Sequence, residues 1–583
     1  MRPRGDDAVM RPRIPRRTVL LSGAIVATAV LLIAALLGLG GGRGGGVSSS
    51  SPGGGTPAAN LTTMPSSLAP SDAAATGSPL ASGPVSGTIA PSPTISELQV
   101  SGVREVEVAA PPSGPTSCQA AFEPIVATHP SDANRLAVAY ERNRFVGGRC
   151  AAVPALAISD DGERTWHDAP RLPWAGSGRA PDHHAAIAWG PGPRAGSARL
   201  YWADATVSSG TDAHLLSVAW SDDEGRTWSR LYTERRTPPW VGGFPDITVD
   251  RNPASPGYGN VYVAYNWLAS ATLGPGLRVL ASADHGATWQ AVEVPRAPAA
   301  AGYPASWRIG YRVRTGPDGA LYVAAYQADL RHWDSQAIFS RGGVANVGRH
   351  GYTVTRLVLD RATRRFALGP TVMALTLPRN AYTVDQLPVP GTSANVYTDP
   401  MWQVGLDVDQ SSGAVVLAAA SYQSQSGPAR PRGTVRVGRS TDGGRHWTAV
   451  TLPALPQLGG RVMSSYRPSV VAWQGRVVVG LHGMTDEPPG TSVARHLPVV
   501  VSAVVVSGDG GQSFGVPVIV SAEAWNAASL TTQISGPGLR DRIELTADAR
   551  VVYAYGDGRL ARPLPDTRAG RSAVYAALIA LGP

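Results

Sequence analysis

Residues 221–228 read SDDEGRTW, and near-copies return along the chain as SDDGERTW at 159–166, SADHGATW at 282–289, STDGGRHW at 440–447 and SGDGGQSF at 507–514. The starts lie 62, 61, 158 and 67 residues apart, so the long interval has room for a unit without a box. Units of roughly 60 residues, each holding several short strands, predict an all-β propeller.

Each box lies between two apolar runs, as in LLSVAW before Ser221 and RLYT after Trp228, which predicts the turn of a hairpin. The short side chains of Ser221 and Asp223 can bond nearby backbone groups, and Gly225 can take a positive φ without steric cost. Trp228 opens the next strand with a ring large enough to anchor the hairpin. The pattern resembles the Asp-box, or BNR-repeat, propellers of the sialidase superfamily, whose box reads Ser-x-Asp-x-Gly-x-Thr-Trp. Its structural positions here are Ser159, Asp161 and Trp166; Ser221, Asp223, Gly225 and Trp228; Ser282, Asp284, Gly286 and Trp289; Ser440, Asp442, Gly444 and Trp447; and Ser507, Asp509 and Gly511. Three copies depart from it: Glu163 stands at the glycine position, His446 replaces threonine, and Ser513-Phe514 closes the last box. In the family the boxes lie on the face opposite the active site, so they are expected to shape the fold and not the chemistry.

Paired β-rich runs precede the boxes, beginning near residues 124, 185, 246, 311, 404, 469 and 542. Alternation such as Val261, Val263 and Tyr265, and turn pairs such as Asp318-Gly319, mark hairpins. VTRLVLDRATRRFAL at 354–368 completes the fourth unit without a box. The last pair is followed by a single strand at 572–581, while VREVEV at 103–108 stands alone ahead of the first unit. Seven blades are therefore expected, with the N-terminal strand closing the seventh and hiding its edge; six blades is the runner-up.

The organisation ahead of the propeller is as informative. Residues 1–17 are an Arg-rich tail, 18–40 form 23 residues without a charge, 41–100 are a Gly/Ser/Pro/Thr/Ala linker, and 101–583 hold the propeller. The apolar stretch is long enough to span a bilayer, and the preceding arginines predict a cytoplasmic N-terminus with the propeller outside. The alternative is a cleaved signal, with a secreted head. A linker of that composition cannot bury a core and reads as a disordered tether. The net charge of +9 falls to +6 over 101–583, and no arginine run interleaved with aromatics appears there, which argues against nucleic acid as a partner. All 51 basic residues are Arg. On the exported side of a membrane Cys118 and Cys150 are expected to form a disulfide, contributing about 3–4 kcal/mol by closing their loop. No motif for a metal or cofactor is present, and the head is read as a monomer.

Function is sought where the innermost strands begin, at the channel mouth away from the boxes. Aligning the runs places Glu123, Asp182, Asp246, Arg308, Asp399, Arg467 and Asp541 there. The segments starting at 328 and 380 are longer than connections need to be, which also points to that face. The resemblance implies three substrate-gripping arginines, a Tyr nucleophile with its Glu and an acid-base Asp. Glu123-Pro124 stands where the family carries its first arginine. Arg308, Arg467 and Arg540 or Arg542, with Tyr303 or Tyr466, are the nearest approach to the set, and the catalytic residues stay unassigned. The expected function is carbohydrate recognition or processing at the channel face; the alternative is a non-catalytic surface propeller that binds proteins.

Overall fold

Runs such as VVVGL at 477–481 are too apolar for a sheet with one wet face, and they form strands covered on both sides. The computed structural model describes residues 98–582 apart from 111–119, 147–148, 170–171, 173–183, 208–213, 230–231, 237–244, 268–275, 299–304, 331–346, 378–385, 389–394, 398–403, 424–431, 486–498, 527–541 and 559–571. The apolar stretch at 18–40, the linker and Cys118 lie outside these residues, as do the side chain of Cys150 and most of the two long segments. No helix among the described residues is long and apolar enough to cross a membrane.

Among the described residues seven antiparallel sheets form a ring, each entered through its inner strand. The inner strands of blades 1 to 7 are Ala121–Thr128, His184–Pro191, Asp246–Val249, Ala305–Thr315, Val404–Val408, Met463–Trp473 and Arg542–Leu545. Every sheet then runs outward in chain order, save the last. Blade 7 takes Val551–Asp557 and Ala573–Gly582 as its middle strands and the N-terminal Gln99–Ala109 as its outermost one. Val106 pairs with Ala576 in that closing contact. Blade 4 is completed by Arg365–Thr376, the hairpin strand that has no box.

Apolar side chains fill the spaces between neighbouring sheets. Tyr262, Leu277, Val313 and Leu321 pack blade 3 on blade 4, and Val416, Val437, Val470 and Val479 pack blade 5 on blade 6. Each fully buried side chain of this size is worth about 1.5–3 kcal/mol, so the faces, not the ring's rim, hold the blades together.

The boxes turn the third strand into the fourth, and their chemistry repeats. The serine Oγ donates to the aspartate Oδ1 at 3.0, 2.7, 2.7, 2.8 and 2.7 Å in chain order. The same Oγ accepts from the backbone N–H four residues on, as from Gly225 at 2.7 Å. Asp223 also accepts from the Thr227 N–H at 2.8 Å and its hydroxyl at 2.6 Å. The departures are chemically conservative here: His446 Nδ1 and Ser513 Oγ each meet their box aspartate at 2.5 Å, in place of threonine. Gly225 has φ +82°, and a Cβ there would lie 3.1 Å from Leu156 of the preceding blade.

Candidate functional site: the channel and its charged crossing

An inner strand pairs on one side only, which leaves its other row of N–H groups facing the channel unsatisfied. Side chains of the preceding blade meet this need. Asp246 Oδ2 in blade 3 accepts from Val313 N–H in blade 4 at 2.9 Å, and Asp407 Oδ2 in blade 5 accepts from Ala472 N–H in blade 6 at 2.7 Å. Ser469 Oγ accepts from Ile543 N–H at 3.0 Å in the same way.

The remaining carboxylate oxygens are joined across the axis by guanidinium groups. Arg314 of blade 4 donates to Glu544 of blade 7 at 3.0 Å, and lies 3.6 Å from Asp407 and 3.8 Å from Asp246. Arg542 of blade 7 pairs with Asp246 of blade 3. Arg251 donates to the Thr128 carbonyl at 3.1 Å and stands 3.9 Å from Glu544. Burial opposes the ionisation of Asp246, but the guanidinium groups of Arg542, Arg312 and Arg314, with the Val313 N–H, hold it down to about 2. Asp407 has less help: burial pushes it up to about 6, against the pull of Arg314 and the Ala472 N–H and with the Glu544 charge adding to the rise.

These groups border a cavity of about 530 Å³ to which all seven inner strands contribute. Trp189, Trp473, Arg251, Asp407, Gln410 and Glu544 are among its walls. Its rim is made of the turns between first and second strands, at residues such as Asn252, Ser411 and Gln474. Those turns share a face with the boxes, since Gly162 N–H donates to the Asn134 carbonyl at 3.0 Å and Gly510 N–H to that of Gly475 at 2.6 Å. The described channel opening is therefore on the box face, whereas the expected mouth was on the other. Most connections of that other mouth lie outside the described residues.

The seven expected mouth residues separate accordingly. Asp246 is fully buried in the channel crossing. Glu123 and Arg467 occupy matching positions in blades 1 and 6: both precede proline, both sit in a strand bulge, and their φ values are +55° and +53°. They are 3% and 4% exposed, so they are built into the inner strands and do not stand free at a rim. Arg308 is not on the channel. It lies fully buried against the segment that crosses from blade 3 to blade 4, donating to the Val294 and Pro295 carbonyls at 3.1 and 2.7 Å and to Thr353 Oγ1 at 3.3 Å. Burial and nearby Arg296 push its guanidinium below the ordinary value. Asp182, Asp399 and Asp541 lie outside the described residues, as do Tyr303 and Arg540. Tyr466 is buried, with its ring stacked on His482 at 5.6 Å.

Sequence reasoning missed Arg314, Asp407, Glu544 and Arg251. A signal existed for three of them: Val-Arg-Thr, Leu-Asp-Val and Ile-Glu-Leu each place one charge between uncharged neighbours in an inner strand. Three guanidinium groups do converge, those of Arg251, Arg314 and Arg542, yet each already faces a carboxylate of the chain itself. No tyrosine lines the described cavity. Among the described residues no group of three His, Cys, Asp or Glu side chains is placed to hold a metal ion.

No family model and no curated protein matches the chain. Among solved structures it is similar to an α-L-arabinanase of Penicillium chrysogenum, at 14% identity over 65% of this chain and 92% of that one, with a TM-score of 0.38. The GH93 α-L-arabinofuranosidase of Fusarium graminearum is 12% identical over 81% and 96%, with a TM-score of 0.37. A leech intramolecular trans-sialidase is 12% identical over 71% and 69%, with a TM-score of 0.33. Likenesses of this extent say nothing about activity. Among the described residues the strands, the closing contact and the repeated Ser–Asp turns make a seven-bladed β-propeller.

Proposed function

We propose that the propeller is the head of an exported, membrane-tethered protein and recognises carbohydrate through its channel cavity, with a neutral sugar as the ligand. The observation that carries this reading is the internal pairing of Arg251, Arg314 and Arg542 with Glu544, Asp407 and Asp246. Asp246, Asp407 and Glu544 match the three arginines and Asp409 adds a further carboxylate to the cavity wall, which leaves no positive surplus to grip a substrate carboxylate. They still offer donors and acceptors side by side, which suits hydroxyl groups that both give and take hydrogen bonds. Trp189 and Trp473 supply apolar surface in the same walls. The uncharged stretch at 18–40, behind an arginine-rich tail, supports the tether.

The same pairing favours one second reading, a non-catalytic surface propeller that binds proteins, because it leaves no anion grip of the kind a sialidase needs. Binding of neutral and sialylated oligosaccharides to the full chain in detergent, measured by calorimetry, separates the cases. The proposal expects neutral oligosaccharides to bind, and Arg251→Ala to weaken them by about 10-fold, the loss of roughly one charge-assisted hydrogen bond. Binding restricted to sialylated glycans, or indifferent to Arg251→Ala, overturns it. Absence of any glycan binding favours the protein-binding alternative.

A further inference from the structure

The first box differs from the others at the position where its neighbours have glycine. Gly225, Gly286, Gly444 and Gly511 turn at φ between +82° and +89°, and at the first three the face of the preceding blade is close by. Glu163 takes the same turn at φ +68° and makes the same backbone bond, its N–H donating to Ser159 Oγ at 2.9 Å. Its side chain is 1% exposed, and neither carboxylate oxygen has a hydrogen-bond partner.

The blade that precedes blade 1 in the ring is blade 7, so this carboxyl group is buried in the seam that closes the propeller. The charged groups facing it are all from blade 7: Arg550, Arg104 and Asp548. None of them makes a hydrogen bond to it, and both arginines are held elsewhere. Arg104 Nη2, on the closing strand, donates to the Gly162 carbonyl at 2.6 Å. Arg550 Nε is held by Asp548 at 2.9 and 2.8 Å, and its Nη2 donates to the Ala133 carbonyl at 3.0 Å.

We propose that Glu163 makes the blade 7–blade 1 seam a pH-sensitive closure, tight when the carboxyl group is protonated and loosened when it ionises. A neutral carboxyl group can stay buried at modest cost, whereas an unbonded buried carboxylate must be hydrated, which here means parting the two blades. Burial pushes Glu163 from 4.5 up to about 7, against the pull of both arginines. An acid raised in this way stabilises the closed seam below its ordinary value, and the benefit is lost as pH climbs towards the raised one. Arg104 of the closing strand Gln99–Ala109 reaches across this seam to the Gly162 carbonyl, so the contact that ends the ring lies beside the buried carboxyl group.

Amide exchange of Ala121, whose N–H donates to the Ser572 carbonyl across the seam at 2.9 Å, reads the opening directly in the full-length protein once corrected for the intrinsic rate. Between pH 5.5 and 8.5 the opening equilibrium should increase about 30-fold, as a shift from 4.5 to about 7 requires. Glu163→Gln and Glu163→Gly should each abolish that dependence. Wild-type protection that is constant over this range overturns the proposal, with or without a folded variant. So does a dependence that either variant retains.

Discussion

Asp246 of blade 3 and Arg542 of blade 7 form an ion pair across the channel, with both side chains almost wholly removed from water. Blades 3 and 7 are not neighbours in the ring. The pair therefore ties together sheets that share no apolar face.

Asp246→Ala should unfold the head as severely as loss of a core side chain, although the residue was expected at a binding mouth. Removing one partner leaves Arg542 buried without its counter-charge and Val313 N–H without its acceptor, a loss of about 3–5 kcal/mol. Chemical denaturation of the single variants and of Asp246→Ala/Arg542→Ala measures it, and a double variant less damaged than the single one is the expected signature. A midpoint unchanged in Asp246→Ala would mean that the crossing does not hold the ring.

Box variants should damage folding and leave ligand binding alone. Trp228 packs edge-on against Trp202 at 6.1 Å and is only partly buried, so Trp228→Ala is expected to cost about 3 kcal/mol, the low end for such a ring. Asp223→Ala strips the Thr227 N–H and two hydroxyl groups of their acceptor, at about 1–3 kcal/mol. Thermal unfolding of both variants, beside calorimetry at the channel, checks the separation.

Of the three acids beside Arg314, Asp407 and Asp246 should act on stability in opposite directions. Asp407 is raised from 3.8 to about 6, so the stability it contributes is complete below pH 3.8 and is lost as pH rises through about 6. The shift corresponds to about 3 kcal/mol at most. Asp246 is lowered to about 2, so its contribution is present above pH 3.8 and is lost as pH falls through about 2. Asp407→Asn should flatten the slope between pH 4 and pH 6 in denaturation experiments, and a slope identical to wild type would remove Asp407 as its source.

The fold was legible because propeller blades repeat locally. Boxes at 159, 221, 282, 440 and 507 mark the outer hairpins, and the stray alternation at 103–108 found its place once the last unit came out one strand short. The candidate site was far less legible, and the reason is a matter of pleat. Counting from the first residue of an inner strand assumes unbroken alternation, but extra residues bulge the strands at Phe122/Ile125, Ile309/Tyr311 and Tyr466/Ser469. A bulge changes which side a residue faces. In blade 4 it puts Arg308 between the sheets and leaves Arg314, six residues on, to cross the channel. Nor does alternation reveal which blades meet across a ring. Arg314 and Glu544 are 230 residues apart and share no local pattern.

The closing strand also bears on how the chain is made. Val106 finds its partner in Ala576, so this strand must wait until the other six blades have been made. Loop closure over such a span costs only a little more than over a short one, because the penalty grows with the logarithm of length. The exposure during the wait is the harder problem, since an unpaired strand of alternating valines is a template for other copies of itself. Arg104, Glu105 and Glu107 interrupt those valines and leave Val103, Val106 and Val108 separated by charge. Charges that are bonded in the finished ring, as Arg104 is to the Gly162 carbonyl, would thus also guard the nascent chain against self-association until the ring can shut.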